Sequence, residues 1–129
     1  MSLRYQLDAS ALLALLLGER GADVVEPLLD NAQIHAFNLA EVITKLLQKG
    51  VPDPEIQIAK LQLDVMEQLS VDQAAMCGHL HAATRTAGLS MGDCICLSMA
   101  QDAGLTAITT EREWAAAVRG KHIRIQCIR

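Results

Sequence analysis

Leu3-Arg4-Tyr5-Gln6-Leu7-Asp8-Ala9-Ser10-Ala11-Leu12-Leu13-Ala14-Leu15-Leu16-Leu17 begins as a strand, stops at an acid and turns at once into an apolar helix. Residues 3–7 predict a short strand ending at Asp8, residues 9–17 have the composition and length of a buried helix, and Gly18 and Gly21 punctuate its end. The alternation repeats outward. A helical stretch over 22–31 precedes a strand at 34–36, and Leu39, Val42, Ile43, Leu46 and Leu47 then follow amphipathic helical spacing up to Gly50. Asp53-Pro54 starts a helix to about 67, residues 69–71 read as a strand, and Asp72 begins a helix ending near Gly88. Ser90-Met91-Gly92-Asp93 opens a helix that is apolar almost all round and ends at Gly104. Residues 105–109 form a strand, 111–118 a short helix, and 123–127 a last strand. Strands separated by helices predict an α/β chain with a mostly parallel central sheet covered on both faces, because parallel pairing needs a long crossover.

A chain of 129 residues with 51% hydrophobic and 20% charged residues has material for one core, which argues for one domain over 1–129 and against disorder. Tyr5, Phe37 and Trp114 are the only aromatics, too few for a platform of rings that stacks successive bases. A net charge of −4 argues against holding nucleic acid by bulk positive potential, although five of the eleven basic residues fall in the last eighteen positions. The N-terminus lacks a signal-peptide pattern and no apolar run is long enough to span a bilayer, so a soluble, cytoplasmic protein without membrane contact is expected. Cys77, Cys94, Cys96 and Cys127 form no C-x-x-C and are expected as reduced, mostly buried thiols. Cys94 with Cys96 and His79 with His81 are two apart, a spacing that points helical neighbours in different directions and argues against structural zinc.

Ligands of parallel sheets bind outside the carboxyl ends of the strands. The residues expected there are Asp8, Glu41 within Asn38-Leu39-Ala40-Glu41, Asp93, and Glu111 just after 105–109, and all four are carboxylates. Two bare carboxylates about 4 Å apart repel by roughly 4 kcal/mol at an effective dielectric of 20, so a shared pocket calls for a cation. Oxygen ligands without thiolate or imidazole select Mg²⁺ or Mn²⁺, and the chemistry that fits is phosphodiester hydrolysis. Each acid taken singly has a plainer explanation: Asn38-x-x-Glu41, Ser90-x-x-Asp93 and Thr110-x-x-Glu113 are capping boxes or close variants. Asp8 is different, since Ser10 is free to cap the first helix in its place. Arg112 reads as solvated and Trp114 as core.

Leu7-Asp8-Ala9-Ser10, Asn38-Leu39-Ala40-Glu41-Val42, Leu89-Ser90-Met91-Gly92-Asp93 and Thr109-Thr110-Glu111-Arg112-Glu113-Trp114, in this order over the whole chain, resemble PIN-domain ribonucleases. The likeness is greatest to the toxin components of VapBC toxin–antitoxin pairs. The resemblance implies a three-layer α/β/α sandwich and Mg²⁺- or Mn²⁺-dependent cleavage of RNA to a 5′-phosphate and a 3′-hydroxyl. Asp8, Glu41 and Asp93 then become the primary metal-binding carboxylates, and Glu111 stands where the family usually has Asp. Ser10 and Thr109 match polar positions that support the acids, and Asn38 a position that orients Glu41; turn bonding or capping is the alternative for these three. A homodimer and a small antitoxin that blocks the acids are the partners implied. The alternative function is a non-catalytic protein-interaction module on the same fold.

Overall fold

The computed structural model describes residues 2–129. Strand β1 (Tyr5–Leu7) runs into helix α1 (Ala9–Leu17), followed by α2 (Ala22–Val25), a 3-10 turn (Glu26–Asn31) and β2 (Ala32–His35). Helices α3 (Ala36–Gln48) and α4 (Pro54–Ala59) lead to β3 (Asp64–Met66). Then come α5 (Val71–Ala83), α6 (Met91–Ala103), β4 (Thr106–Thr109), α7 (Trp114–Ala117) and β5 (Ile125–Cys127). The five strands are all parallel, in the order β3-β2-β1-β4-β5.

Alternation along the strands sends side chains to two different layers. Leu7, Ile34 and Ile108, which lie side by side in register, pack with Leu12, Val42 and Leu46 from α1 and α3. On the opposite face Ala107 meets Leu97, Leu80 and Trp114 from α6, α5 and α7. Helix α6 crosses β1, β2 and β4 and buries eight of its thirteen residues, which is why its sequence is apolar around nearly its whole circumference. The result is the expected three-layer α/β/α sandwich. Trp114 is core, at 1% exposure.

Several local expectations are corrected. The helix expected from Asp53 to about 67 ends at Ala59, Gln62 takes a positive φ of 53°, and the strand lies at 64–66 rather than 69–71. Asp64 and Val65 of this edge strand are exposed, so the segment lacks the alternation that marks a half-buried strand. Leu69 and Val71 instead face outward at the start of α5, where Ser70 and Gln73 form a capping box. The stretch 22–31 breaks into an α turn and a 3-10 turn at Pro27, which has no N–H to donate. Helix α7 is shorter than expected and begins without a side-chain cap, so Thr110-x-x-Glu113 is not a capping box.

Between β1 and β2 the sheet holds two buried polar side chains, Gln6 and Gln33, paired in register. Gln33 Nε2 donates to Gln6 Oε1 at 2.8 Å and also approaches the Met66 sulfur at 3.0 Å. Replacing Gln33 with Leu removes the donor and leaves a buried acceptor unpaired. The expected loss is roughly 1–3 kcal/mol of unfolding free energy in a urea titration. A Gln6→Leu/Gln33→Leu double variant should recover part of it.

Candidate active site

The order β3-β2-β1-β4-β5 reverses its direction of growth between β1 and β4, so the crevice of the sheet opens at the carboxyl ends of these two strands. Asp8 stands at the end of β1 and Thr109 at the end of β4. Asp8 occupies the cap position of α1 with extended backbone (φ −78°, ψ 158°), yet its side chain caps nothing. It turns instead toward two hydroxyls: Ser10 Oγ donates to Asp8 Oδ2 at 2.7 Å and Thr109 Oγ1 donates to the same oxygen at 3.1 Å. Each hydroxyl is itself oriented by a backbone donor, Thr110 N–H to Ser10 Oγ and Glu111 N–H to Thr109 Oγ1, both at 3.1 Å. Two relays, from amide to hydroxyl to carboxylate, thus converge on one oxygen. Ser10 lies inside the first turn of α1 and does not cap it.

Burial pushes the Asp8 carboxyl from the ordinary 3.8 up to about 7; the Ser10 hydrogen bond opposes this, the charge of Asp93 adds to it, and the Thr109 bond again opposes it. Asp8 is 4% exposed.

Asp93 is held differently. It accepts from Ser90 N–H at 2.9 Å and its own N–H donates to Ser90 Oγ at 3.1 Å, the reciprocal capping box read from the sequence. Glu41 is steered by Asn38, whose Nδ2 donates both to Glu41 Oε1 and to the Gly92 carbonyl, each at 3.0 Å. Asn38 is not a helix cap: α3 starts two residues earlier, and the His35 ring caps it by accepting from Phe37 N–H at Nδ1. That bond leaves the ring proton on Nε2, which donates to the Gln68 carbonyl at 3.1 Å. A Cβ on Gly92 would lie 2.5 Å from Glu41 Oε1, so the missing side chain is what lets the Glu41 carboxylate rest against α6 beside Asp93. The expectation drawn from sequence did not assign Gly92 a role. Its signal was a glycine at the second position of an otherwise well-formed helix.

Cys96 is fully buried, and its thiol is pushed well above its ordinary value by burial and then by the charges of Asp8, Asp93 and Glu41. Glu111 sits farther out. Its carboxyl is raised by partial burial, by contact with Glu113 and by the charge of Asp93, while Arg129 opposes the shift. Among the described residues, no basic side chain comes within ion-pair distance of Asp8, Glu41, Asp93 or Glu111. Nor do any three His, Cys, Asp or Glu side chains stand close enough together to enclose one ion. Cys77, Cys94 and Cys96 are buried free thiols, and Cys127 is free and exposed.

The sequence matches the family model described as PIN domain over residues 5–120. The chain belongs to the PIN-domain family. No curated protein matches the sequence. Among solved structures, the chain is similar to a toxin–antitoxin complex from Klebsiella pneumoniae, with a TM-score of 0.73, 20% identity, and coverage of 97% of this chain and 98% of the other. It is also similar to VapBC from Rickettsia felis bound to a DNA fragment from their promoter (0.66, 19%, 98% and 98%) and to VapBC from nontypeable Haemophilus influenzae (0.66, 18%, 98% and 98%). At these identities the likeness establishes the shared PIN fold. Among the described residues, no helix is long and apolar enough to cross a membrane.

A raised carboxyl means that ionising Asp8 opposes folding. The stability tied to its protonated form is complete below about pH 4, the ordinary range of an Asp, and is lost as pH rises to about 7. In EDTA, Asp8→Asn should therefore be more stable than the parent at pH 8, by an amount on the order of 4 kcal/mol. The difference should close by pH 4. Denaturant titrations of both proteins across this range check it, and a difference independent of pH would contradict it.

Proposed function

We propose that this PIN-domain protein is a metal-dependent endoribonuclease acting as the toxin of a toxin–antitoxin pair. The observation that carries the reading is the buried Asp8 carboxylate, oriented by two hydroxyl relays at the switch point of the sheet and, among the described residues, ion-paired with no basic side chain. The donor set fits Mg²⁺ or Mn²⁺: it is all oxygen, rich in carboxylate, and has an open side. Mg²⁺ keeps several waters and commonly takes only one or two carboxylates directly. Asn38 Oδ1, fully buried and without a protein partner, adds an acceptor for such waters.

In this reading Asp8 and Asp93 hold the ion, Glu41 and Glu111 share the site from either side, and Ser10, Thr109 and Asn38 orient the acids. A bound divalent ion supplies a more acidic water and neutralises charge on the phosphate and its leaving oxygen. The residues themselves do quieter work. Ser10 and Thr109 both donate to one Asp8 oxygen and favour the ionised form that a cation needs. Asn38 and Gly92 together keep the Glu41 carboxylate beside Asp93. RNA is the substrate proposed, a small antitoxin the protein partner, and a homodimer the assembly; the VapBC relatives support the antitoxin.

The test is cleavage of RNA with Mg²⁺ or Mn²⁺ and with EDTA. Cleavage should need the metal, and Asp93→Asn should lower kcat by roughly 100-fold or more, beyond the range typical of supporting residues. Equal activity in EDTA and in the variant overturns the reading. Calorimetry showing no Mn²⁺ binding would favour a non-catalytic interaction module.

Gly92→Ala supplies a separate check on Glu41. Alanine suits a helix better than glycine by about 1 kcal/mol, so unfolding free energy should hold or rise. The added methyl displaces the Glu41 carboxylate, and Mn²⁺ affinity should fall roughly 10-fold, as measured by calorimetry.

A further inference from the structure

We propose that the cleft walled by Arg20, Arg112 and Arg129 binds a backbone phosphate of single-stranded RNA next to the one that is cut. This rests on the nuclease reading and names where its substrate leaves the acids. The cleft has a volume of about 490 Å³ and is completed by Thr110, Glu111 and Glu113. Its wall is the reverse side of the hydroxyl relay: the Thr110 N–H that contributes to the cleft segment donates to Ser10 Oγ, which donates to Asp8. Thr110 and Glu111, which line the cleft, are thus joined by their amides to the two hydroxyls that hold Asp8.

Two of the three guanidinium groups are held by main-chain oxygens: Arg112 Nε donates to the Arg129 carbonyl at 3.1 Å, and Arg129 Nη1 donates to the Arg20 carbonyl at 3.3 Å. The bond at Nε leaves both terminal nitrogens of Arg112 for a phosphate, which an Arg fork matches in bidentate geometry. Among the described residues, the one carboxylate paired with any of the three is Glu19, 3.8 Å from Arg129. The cleft gathers three guanidinium groups near the carboxyls of Glu111, Glu113 and Glu19, so that positive charge is concentrated locally in a chain of net charge −4 without a local excess. Arg112 is exposed, as its reading as a solvated side chain expects, and shares this cleft with Arg20 and Arg129. A larger cleft of about 590 Å³, lined by Arg119 and Arg124, lies at the amino end of β5, the opposite end of the sheet from the acids.

The experiment is fluorescence anisotropy of a labelled single-stranded oligoribonucleotide titrated with the full chain in EDTA, across a range of salt. Compared are the parent, Arg112→Gln, Arg20→Gln/Arg112→Gln, and Lys60→Gln, which lies past the end of α4 away from the cleft. The double variant should raise Kd roughly 10-fold and reduce the slope of log affinity against log salt by about 0.7 per phosphate contact removed, while Lys60→Gln leaves both unchanged. Arg20 and Arg112 are exposed, so unchanged thermal melts establish that the variants remain folded. Equal Kd and slope in all four proteins overturn the proposal, as does absence of binding by the parent. Tighter binding of duplex DNA or of an acidic peptide than of the oligoribonucleotide overturns it too. Because the assay needs neither metal nor cleavage, arginine-dependent binding with no cleavage in Mg²⁺ would sink the nuclease reading and leave the cleft standing.

Discussion

The structure is organised around a carboxylate placed where water is nearly excluded. Asp8 is 4% exposed at the end of the central strand, and a buried charge of this kind is tolerated only when hydrogen-bonded or matched by a counter-ion. The described residues supply two hydroxyls and no ion-pair partner. One hydroxyl comes from the first turn of α1, the other from the end of β4, and both need the parallel register that sets Leu7 opposite Ile108. A one-residue slip of β4 would turn Thr109 to the other face and put an apolar side chain against the carboxylate. Sheet register, helix start and site chemistry are therefore one constraint.

Around that point the other acids are held by three separate devices. Asp93 is positioned by a capping box at the N-terminus of the most buried helix, where the macrodipole favours negative charge. Glu41 is positioned from its own helix by Asn38 and given room by a residue with no side chain on α6. Glu111 is placed by the turn after β4, against Glu113 and within reach of the Arg129 charge. At Asp93, capping and a place in the candidate site are not rival explanations. The bonds that satisfy the start of α6 also hold its carboxylate, so an acid accounted for by local structure remains available to the candidate site.

The sequence was most readable where one local signal decided the outcome. The strand, acid and apolar helix of residues 5–17 appear as written, and Ser90 with Asp93 forms the box their spacing implied. Reading failed where a side chain's partner lay elsewhere in the chain. Asn38 resembled a cap because Glu41 follows three residues later, but His35 begins the helix and Asn38 Nδ2 reaches across to Gly92, 54 positions away. The edge strand Asp64–Met66 lacked an alternating face because the far side of β3 has no neighbouring strand, and its exposed residues carry no burial pattern.

From its residues alone, the chain determined the alternation of strands and helices, and with it a parallel sheet with Asp8 and Glu111 just beyond strands and Asp93 in the first turn of a helix. These follow from spacing along a few turns of backbone. Tertiary structure alone decided that β1 lies between β2 and β4, that Asp8 is buried, and that Thr109, 101 positions distant, donates to it. It also decided that Arg20, Arg112 and Arg129 share one cleft. The physical reason is the same in each case: burial, electrostatic potential and hydrogen-bond partnership depend on distance in space, and only packing of the two helical layers on the sheet sets those distances.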